Sequence, residues 1–264
     1  MLGTIFNTIL INPILNIMVY LYTLTGNLGL AIILVTVVIK TILIPVMNPA
    51  LKSMKKQRDL KPELDAIKKK YPTDKKKQAE MQMDLFKRND INPASGCSTQ
   101  IVMLLILIAL FNVIRKFSGD ANIAEINNQL YWESLKLSTD HVLNSKFLYL
   151  DLTKPDPYYI VAILSGVLQF ISSKMMMPTI KKGEKVAEET EVKTDDMAYM
   201  MQQQSTYMMP VMNVIIGITL SSGMMLHILV GSIFTIVQNY FVYGWGDLKP
   251  WLKKLKSGTN TVNE

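Results

Sequence analysis

Charge in this chain is sorted into long blocks. From Met1 to Leu51 the only charged side chain is Lys40, whereas Lys52 to Asp90 holds 13 Lys or Arg and 7 Asp or Glu. A soluble amphipathic helix alternates apolar and charged residues within a few positions, while blocks of about 20 match the length that crosses hydrocarbon. The totals, 49% hydrophobic and 19% charged, would suit a soluble domain, so arrangement decides rather than composition. The chain is predicted to be an all-α polytopic membrane protein. Its single Cys97 excludes an internal disulfide framework and leaves zinc thiolate or CxxC redox chemistry short of ligands, so no metal or cofactor is expected.

Five apolar stretches define a five-transmembrane-helix core bundle: residues 27–49, 94–117, 158–178, 200–221 and 222–244. At about 1.5 Å per residue these lengths suit a hydrocarbon core of about 30 Å. The strictly apolar part of the second, Thr99 to Ile114, is short and needs flanking residues or a thin bilayer. Pro155, Pro157 and Pro178 bracket the third, and only Ser221 and Ser222 separate the last two, which makes a tight helical hairpin. Loops between five spans alternate sides. Of 28 Lys and Arg, 22 fall on one side, 13 in Lys52–Asp90, 5 in Lys174–Asp196 and 4 in Asp247–Glu264, and only 5 on the other, namely Arg115, Lys116, Lys136, Lys146 and Lys154. The positive-inside rule therefore places the basic side in the cytoplasm, the N-terminus outside and the C-terminus inside. A net charge of +7 then faces anionic lipid and ribosomal RNA, and nothing reads the sequence of DNA.

The remaining segments are coloured by the same pattern. Residues 1–26 read as an N-terminal interfacial helix, because Asn12, Asn16, Tyr20 and Thr23 recur at helical spacing; a signal anchor or sixth span is the rival reading. Residues 50–93 form a cytoplasmic helical hairpin. Leu64, Ile67 and Tyr71 share a face of one arm, and Ala79, Met83 and Phe86 a face of the other, which opens at Thr73 or Asp74. It is either a solvated connector or a docking arm for a ribosome or nascent chain. The extracytoplasmic loop 118–157 contains no catalytic constellation, the cytoplasmic loop 179–199 is almost wholly polar, and 245–264 is a basic cytoplasmic tail. No GxxxxGK[ST] loop for ATP phosphates is present, and no enzymatic activity is expected.

Lys40 is the residue that this layout does not explain. It lies 7 residues before Met47, about 10 Å inside the cytoplasmic boundary by helical rise. A Lys at the centre of a span costs about 2.5–3.5 kcal/mol on insertion scales, so it needs water, a partner or a snorkelling route. No Asp or Glu lies in any span, which argues against an ion-coupled carrier. Polar stripes accompany it: Thr36 one turn earlier, Ser165 and Gln169 with Ser172 and Ser173 in span three, Asn213 in span four, and Gly231, Thr235 and Gln238 in span five. Interhelical hydrogen bonding explains part of this. Several stripes around one cation point to a wet cavity open to the cytoplasm, suited to polar or acidic stretches of another chain. His227 reads as a packing or interface residue.

The run NLGLAIILVTVVIKTILIPV, the charged hairpin, and then INPASGC (Ile91, Asn92, Pro93, Gly96, Cys97) resemble the YidC/Oxa/Alb membrane insertase family. The likeness extends through Ser222 and Gly223 to Thr235 and Gln238. It implies a hydrophilic groove open to cytoplasm and lipid but closed outside. There a basic residue attracts hydrophilic client segments while their apolar segment slides along the second and fourth core spans. Lys40 takes the basic position and Thr36 the hydroxyl position, with Ser165, Gln169, Asn213 and Gln238 as further groove residues. Lys in place of the family's frequent Arg keeps the charge but loses the planar fork. The sliding face is assigned to Met103, Leu107, Met224, Met225 and Ile228, since aromatics common after the Ser-Gly step are absent and Met adapts to unlike clients.

The resemblance thus implies an insertase and chaperone acting on nascent membrane proteins without ATP. Its partners would be those clients, the lipid bilayer, a ribosome and the Sec translocon. Lacking the large outer domain and lipoprotein signal of some members, the chain is expected to be a minimal form in a bacterial plasma membrane. A small transporter or channel with a basic binding site remains the alternative, and a purely structural assembly factor a third reading.

Overall fold

The computed structural model describes residues 2–92, 95–117, 122–138, 143–176, 204–246 and 248–249. The loop expected at 179–199 and most of the basic tail lie outside the described residues. Two compact units divide the chain: Met1–Ile44 with Gln100–Leu168 and Pro210–Phe234, and Pro45–Thr99 with Gln169–Met209 and Thr235–Glu264.

In the first unit, α1 (Leu2–Phe6) passes through a π-turn at Asn7–Ile11 into α2 (Asn12–Thr25). A second π-turn, Gln204–Met208, counted with the second unit, leads into α9 (Met209–Thr219). Both π-turns directly precede a proline at the second position of the next helix, Pro13 and Pro210. The cause is local: proline has no N–H, and its ring crowds the carbonyl four residues back, so the preceding turn widens. The core joins α2, α3 (Leu28–Asp59), α6 (Ser95–Lys116) and α10 (Ser222–Tyr243) through Leu15, Met18, Ile32, Leu110, Ile114 and Met225, all almost wholly buried. Lipid tails are as apolar as these side chains, so close packing rather than removal from water holds such helices together.

The polar stripe expected along the N-terminal helix is divided. Asn16 is 3% exposed while Tyr20 is 51% exposed. Asn16 turns inward because it finds backbone partners: its Nδ2 donates to Gln129 O at 3.0 Å and its Oδ1 accepts from Tyr131 N at 2.7 Å. Tyr22 OH likewise accepts from Asn144 N at 3.0 Å.

The segment between α6 and α8 (Ile160–Met176) is folded rather than loose. It contains α7 (Ile123–Asn127), a 3-10 turn at Glu133–Leu135, and an antiparallel pair β1 (Lys146–Phe147) and β2 (Leu150–Asp151), with Phe147 opposite Leu150. It supplies the caps of two helices. Lys154 O accepts from Ser222 N and Oγ, both at 2.7 Å, and Leu152 O accepts from Gly223 N at 3.0 Å, so the first donors of α10 are satisfied. Asp156, 2% exposed, accepts from Tyr158 N, Val161 N and Tyr149 OH at 2.9–3.1 Å and closes the start of α8.

In the second unit, α4 (Lys61–Lys70) and α5 (Lys75–Arg88) pair as a hairpin. Asp74 rather than Thr73 is the N-cap, its Oδ1 accepting from Lys77 N at 2.9 Å, and Gln78 Nε2 donates to Tyr71 O at 2.5 Å. No residue of either helix is fully buried, which fits a solvated arm. After α10 the chain turns at Gly246, whose φ is +47°, and a Cβ there would collide with Met175 O; both facts require glycine.

Among the described residues, four helices are long and apolar enough to cross a membrane: Gly3–Thr25, Leu28–Asp59, Thr99–Lys116 and Ser222–Tyr243. The apolar helices Ile160–Met176 and Thr206–Thr219 are shorter, and each adjoins the undescribed stretch between them. The chain is thus an all-α membrane protein.

Candidate functional site

Thr36 and Lys40 lie one turn apart on α3, and His227 and Gly231 one turn apart on α10, so each pair shares a helix face. The structure sets these faces against each other. Thr36 Oγ1 lies 2.6 Å from Ile32 O and 2.8 Å from His227 Nδ1, with Thr36 fully buried and His227 nearly so. One hydroxyl carries one hydrogen. Both contacts are satisfied when Thr36 donates to Ile32 O and His227 Nδ1–H donates to Thr36 Oγ1.

One turn further, the Lys40 stem crosses Gly231: a Cβ on that glycine would stand 3.3 Å from Lys40 Cε. Lys40 Nζ approaches Met103 Sδ on α6 at 3.8 Å. One turn in the other direction, a Cβ on Gly223 would stand 3.3 Å from Ile32 Cδ1. The rungs Ile32–Gly223, Thr36–His227 and Lys40–Gly231 rise together in residue number, so α3 and α10 run parallel. Lys40 remains half-buried. The lysine stem is laid over a glycine, with a soft thioether at its head, so its aliphatic part is covered.

Of the other expected groove residues, Ser165 and Asn213 belong to the first unit with Thr36 and Lys40. Ser165 is wholly buried and its hydroxyl donates to Val161 O at 2.7 Å within its own helix, so that group is used internally. Asn213 is half-buried on α9. Gln169 and Gln238 belong to the second unit. There Gln238 Nε2 donates to Asn48 Oδ1 at 3.0 Å, and the neighbouring Asn239 donates from Nδ2 to Ser172 Oγ at 2.9 Å.

The sliding face needs a correction. Met103, Leu107 and Ile228 are half-buried, but Met224 and Met225 are 3% and 0% exposed and belong to the core. The reason is the capped start of α10: Leu152 and Lys154 hold Ser222 and Gly223 inward, which encloses the residues that follow. On α6 the outward apolar stripe is Ile101, Leu104, Ile108 and Phe111, all exposed. His227, expected to be a packing or interface residue, is buried and packs against α3 through Thr36. Its distance of four from Gly231 was the available signal, but the partner that gives it meaning, Thr36, is 191 residues away.

The sequence profile of the 60Kd inner membrane protein family matches residues 20–248. The membrane protein insertase YidC of Fusobacterium nucleatum subsp. nucleatum is 33% identical over 82% of this chain and 86% of its own length. The insertase MisCA of Bacillus subtilis (strain 168) is 30% identical, over 93% of this chain and 82% of its own. A solved structure of an active YidC insertase with its first transmembrane domain resolved aligns with a TM-score of 0.57 at 24% identity, covering 84% of this chain and 43% of that one. At that identity the likeness concerns the fold, and it agrees with the helical membrane architecture described above. Profile, relatives and fold converge: the chain belongs to the 60Kd inner membrane protein family, the YidC/Oxa/Alb membrane insertases.

Proposed function

We propose that this protein is a membrane protein insertase and chaperone that receives hydrophilic client segments at Lys40 and releases their apolar segments to lipid, without nucleotide and without covalent chemistry. The carrying observation is the placement of Lys40: the only charged side chain before Lys52 is laid over Gly231, beside Met103 and one turn from the Thr36–His227 pair. One positive charge at about 4 Å attracts an acidic client group by ~1 to 4 kcal/mol, depending on hydration. The apolar stripe on α6, Ile101 to Phe111, supports a sliding face for the client's hydrophobic segment.

The parallel run of α3 and α10 supports a series of five alternating spans, in which the first and fifth cross in the same direction. With the basic segments inside, the N-terminus is outside and the C-terminus cytoplasmic in a bacterial plasma membrane. In this reading the N-terminal helix lies along the outer interface, and the hairpin of α4 and α5 docks the ribosome. The Sec translocon hands over those clients that need it. The sequence contains no P-loop, which favours an ATP-independent process.

The test is depletion of the native insertase with complementation by variants. Lys40→Glu is expected to impair insertion of clients with acidic external segments, and Lys40→Arg to support it. Normal insertion by Lys40→Glu would refute the charge step. Uptake of a small solute by the purified protein in liposomes, lost in Lys40→Ala, would instead favour a transporter.

A further inference from the structure

The second unit contains a cavity of about 830 Å³ that the insertase reading does not use. It is bounded by the end of α3 (Lys55, Arg58), the first two turns of α4 (Lys61, Asp65) and the turns after α10 (Trp245, Lys249). Its charges do not cancel. Arg58 is committed: its Nε donates to Asp59 Oδ1 at 3.3 Å and its guanidinium lies 5.3 Å from the centre of the Tyr243 ring. Lys55, Lys61 and Lys249 form no ion pair among the described residues, and against them stands Asp65 alone. Among the described residues the lining therefore carries an excess of positive charge.

The rim indicates which kind of anion would suit that charge. Tyr240 and Trp245 meet edge to face with centroids 5.1 Å apart, and both are nearly half exposed; Phe241 beside them is 82% exposed. An apolar ring held open on the last turn of a spanning helix is costly in water and favourable among acyl chains, and Tyr and Trp settle at the headgroup level. Lysines one step beyond such a rim stand where lipid phosphate lies. We propose that this cavity is a headgroup site for an anionic phospholipid. The lysines bind the phosphate and Phe241 meets the acyl chain. The site depends only on α3 and α10 crossing the bilayer, so its failure would leave the insertase reading untouched.

The full chain, reconstituted in phosphatidylcholine nanodiscs with a minor share of phosphatidylglycerol, can be extracted and its retained lipids weighed by native mass spectrometry. Phosphatidylglycerol is expected to be retained above its share. The combined change Lys55→Gln, Lys61→Gln and Lys249→Gln should lower that excess by about fivefold per lysine, given about 1 kcal/mol per basic residue at a charged surface. The same charge removed from the hairpin, by Lys69→Gln, Lys76→Gln and Lys87→Gln, should leave it intact. Phe241→Ser should reduce lipid retention while inorganic phosphate binding stays unchanged. Thermal midpoints verify folding, and Lys249→Gln alone, at an exposed position, serves if the triple variant does not fold. The proposal is overturned by no enrichment in the wild type, or by equal loss in the two triple variants. It is also overturned if inorganic phosphate or a short RNA occupies these lysines while phosphatidylglycerol is not enriched.

Discussion

Thr36 Oγ1 and His227 Nδ1, 191 positions apart in sequence, stand 2.8 Å apart as the middle rung of a parallel contact between α3 and α10. The rung orders the helix face from which Lys40 projects one turn later. Both residues are buried, so neither polar group has water as an alternative partner.

Removing Thr36 leaves the buried His227 Nδ1–H without its acceptor, and removing His227 leaves the Thr36 hydroxyl bonded to Ile32 O alone. Thr36→Val and His227→Leu are each expected to destabilise the detergent-solubilised protein by about 1–3 kcal/mol. The double variant should lose less than the sum, by roughly 0.5–3 kcal/mol of coupling. Strict additivity in thermal denaturation would show that the two groups do not interact.

Gly231 controls where the Lys40 stem lies. Gly231→Ala places a methyl 3.3 Å from Lys40 Cε, at the flexible part of a side chain, and insertion activity should survive. Gly231→Leu needs space the stem now fills and should displace the ammonium group. Client insertion is then expected to fall toward the Lys40→Glu level with the thermal midpoint little changed; full activity in Gly231→Leu would contradict this.

Asp156 closes the start of α8 with three accepted hydrogen bonds. Asp156→Ala should destabilise the protein by about 1–2 kcal/mol, as loss of a helix cap does. Hydrogen exchange should rise first at the amides of Tyr158 and Val161. Unchanged protection at those two amides would remove the capping role.

Asp151 links the stability of the β1–β2 turn to pH. The Thr153 hydroxyl donates to Asp151 Oδ1 at 2.6 Å and the Thr153 amide donates at 3.1 Å, which holds the carboxyl below its ordinary value of 3.8. A carboxyl lowered on folding contributes stability above its unfolded value and loses it as pH falls through the folded one. The wild type should therefore lose thermal stability more steeply than Asp151→Asn from about pH 4 downward. Parallel curves for the two proteins would refute the linkage.

Much of this protein is legible in one dimension because its solvent has two phases. A bilayer demands long uncharged runs and sorts lysines to one side, so the spans of α3, α6 and α10, the hairpin at Asp74 and the singular position of Lys40 follow from the order of residues alone. Periodicity assigns a residue to a helix face but does not say which neighbour that face meets. Ser165 and Asn16 read as polar stripe residues, yet one bonds its own helix and the other a distant turn. Met224 and Met225 read as a client surface, yet the carbonyls of Leu152 and Lys154 pull the start of α10 inward and bury them. The partnership of Thr36 with His227, and of Lys40 with Gly231 and Met103, depends on the rotation and register of three helices about one another. Side-chain packing between helices sets both, and only the tertiary structure decides it.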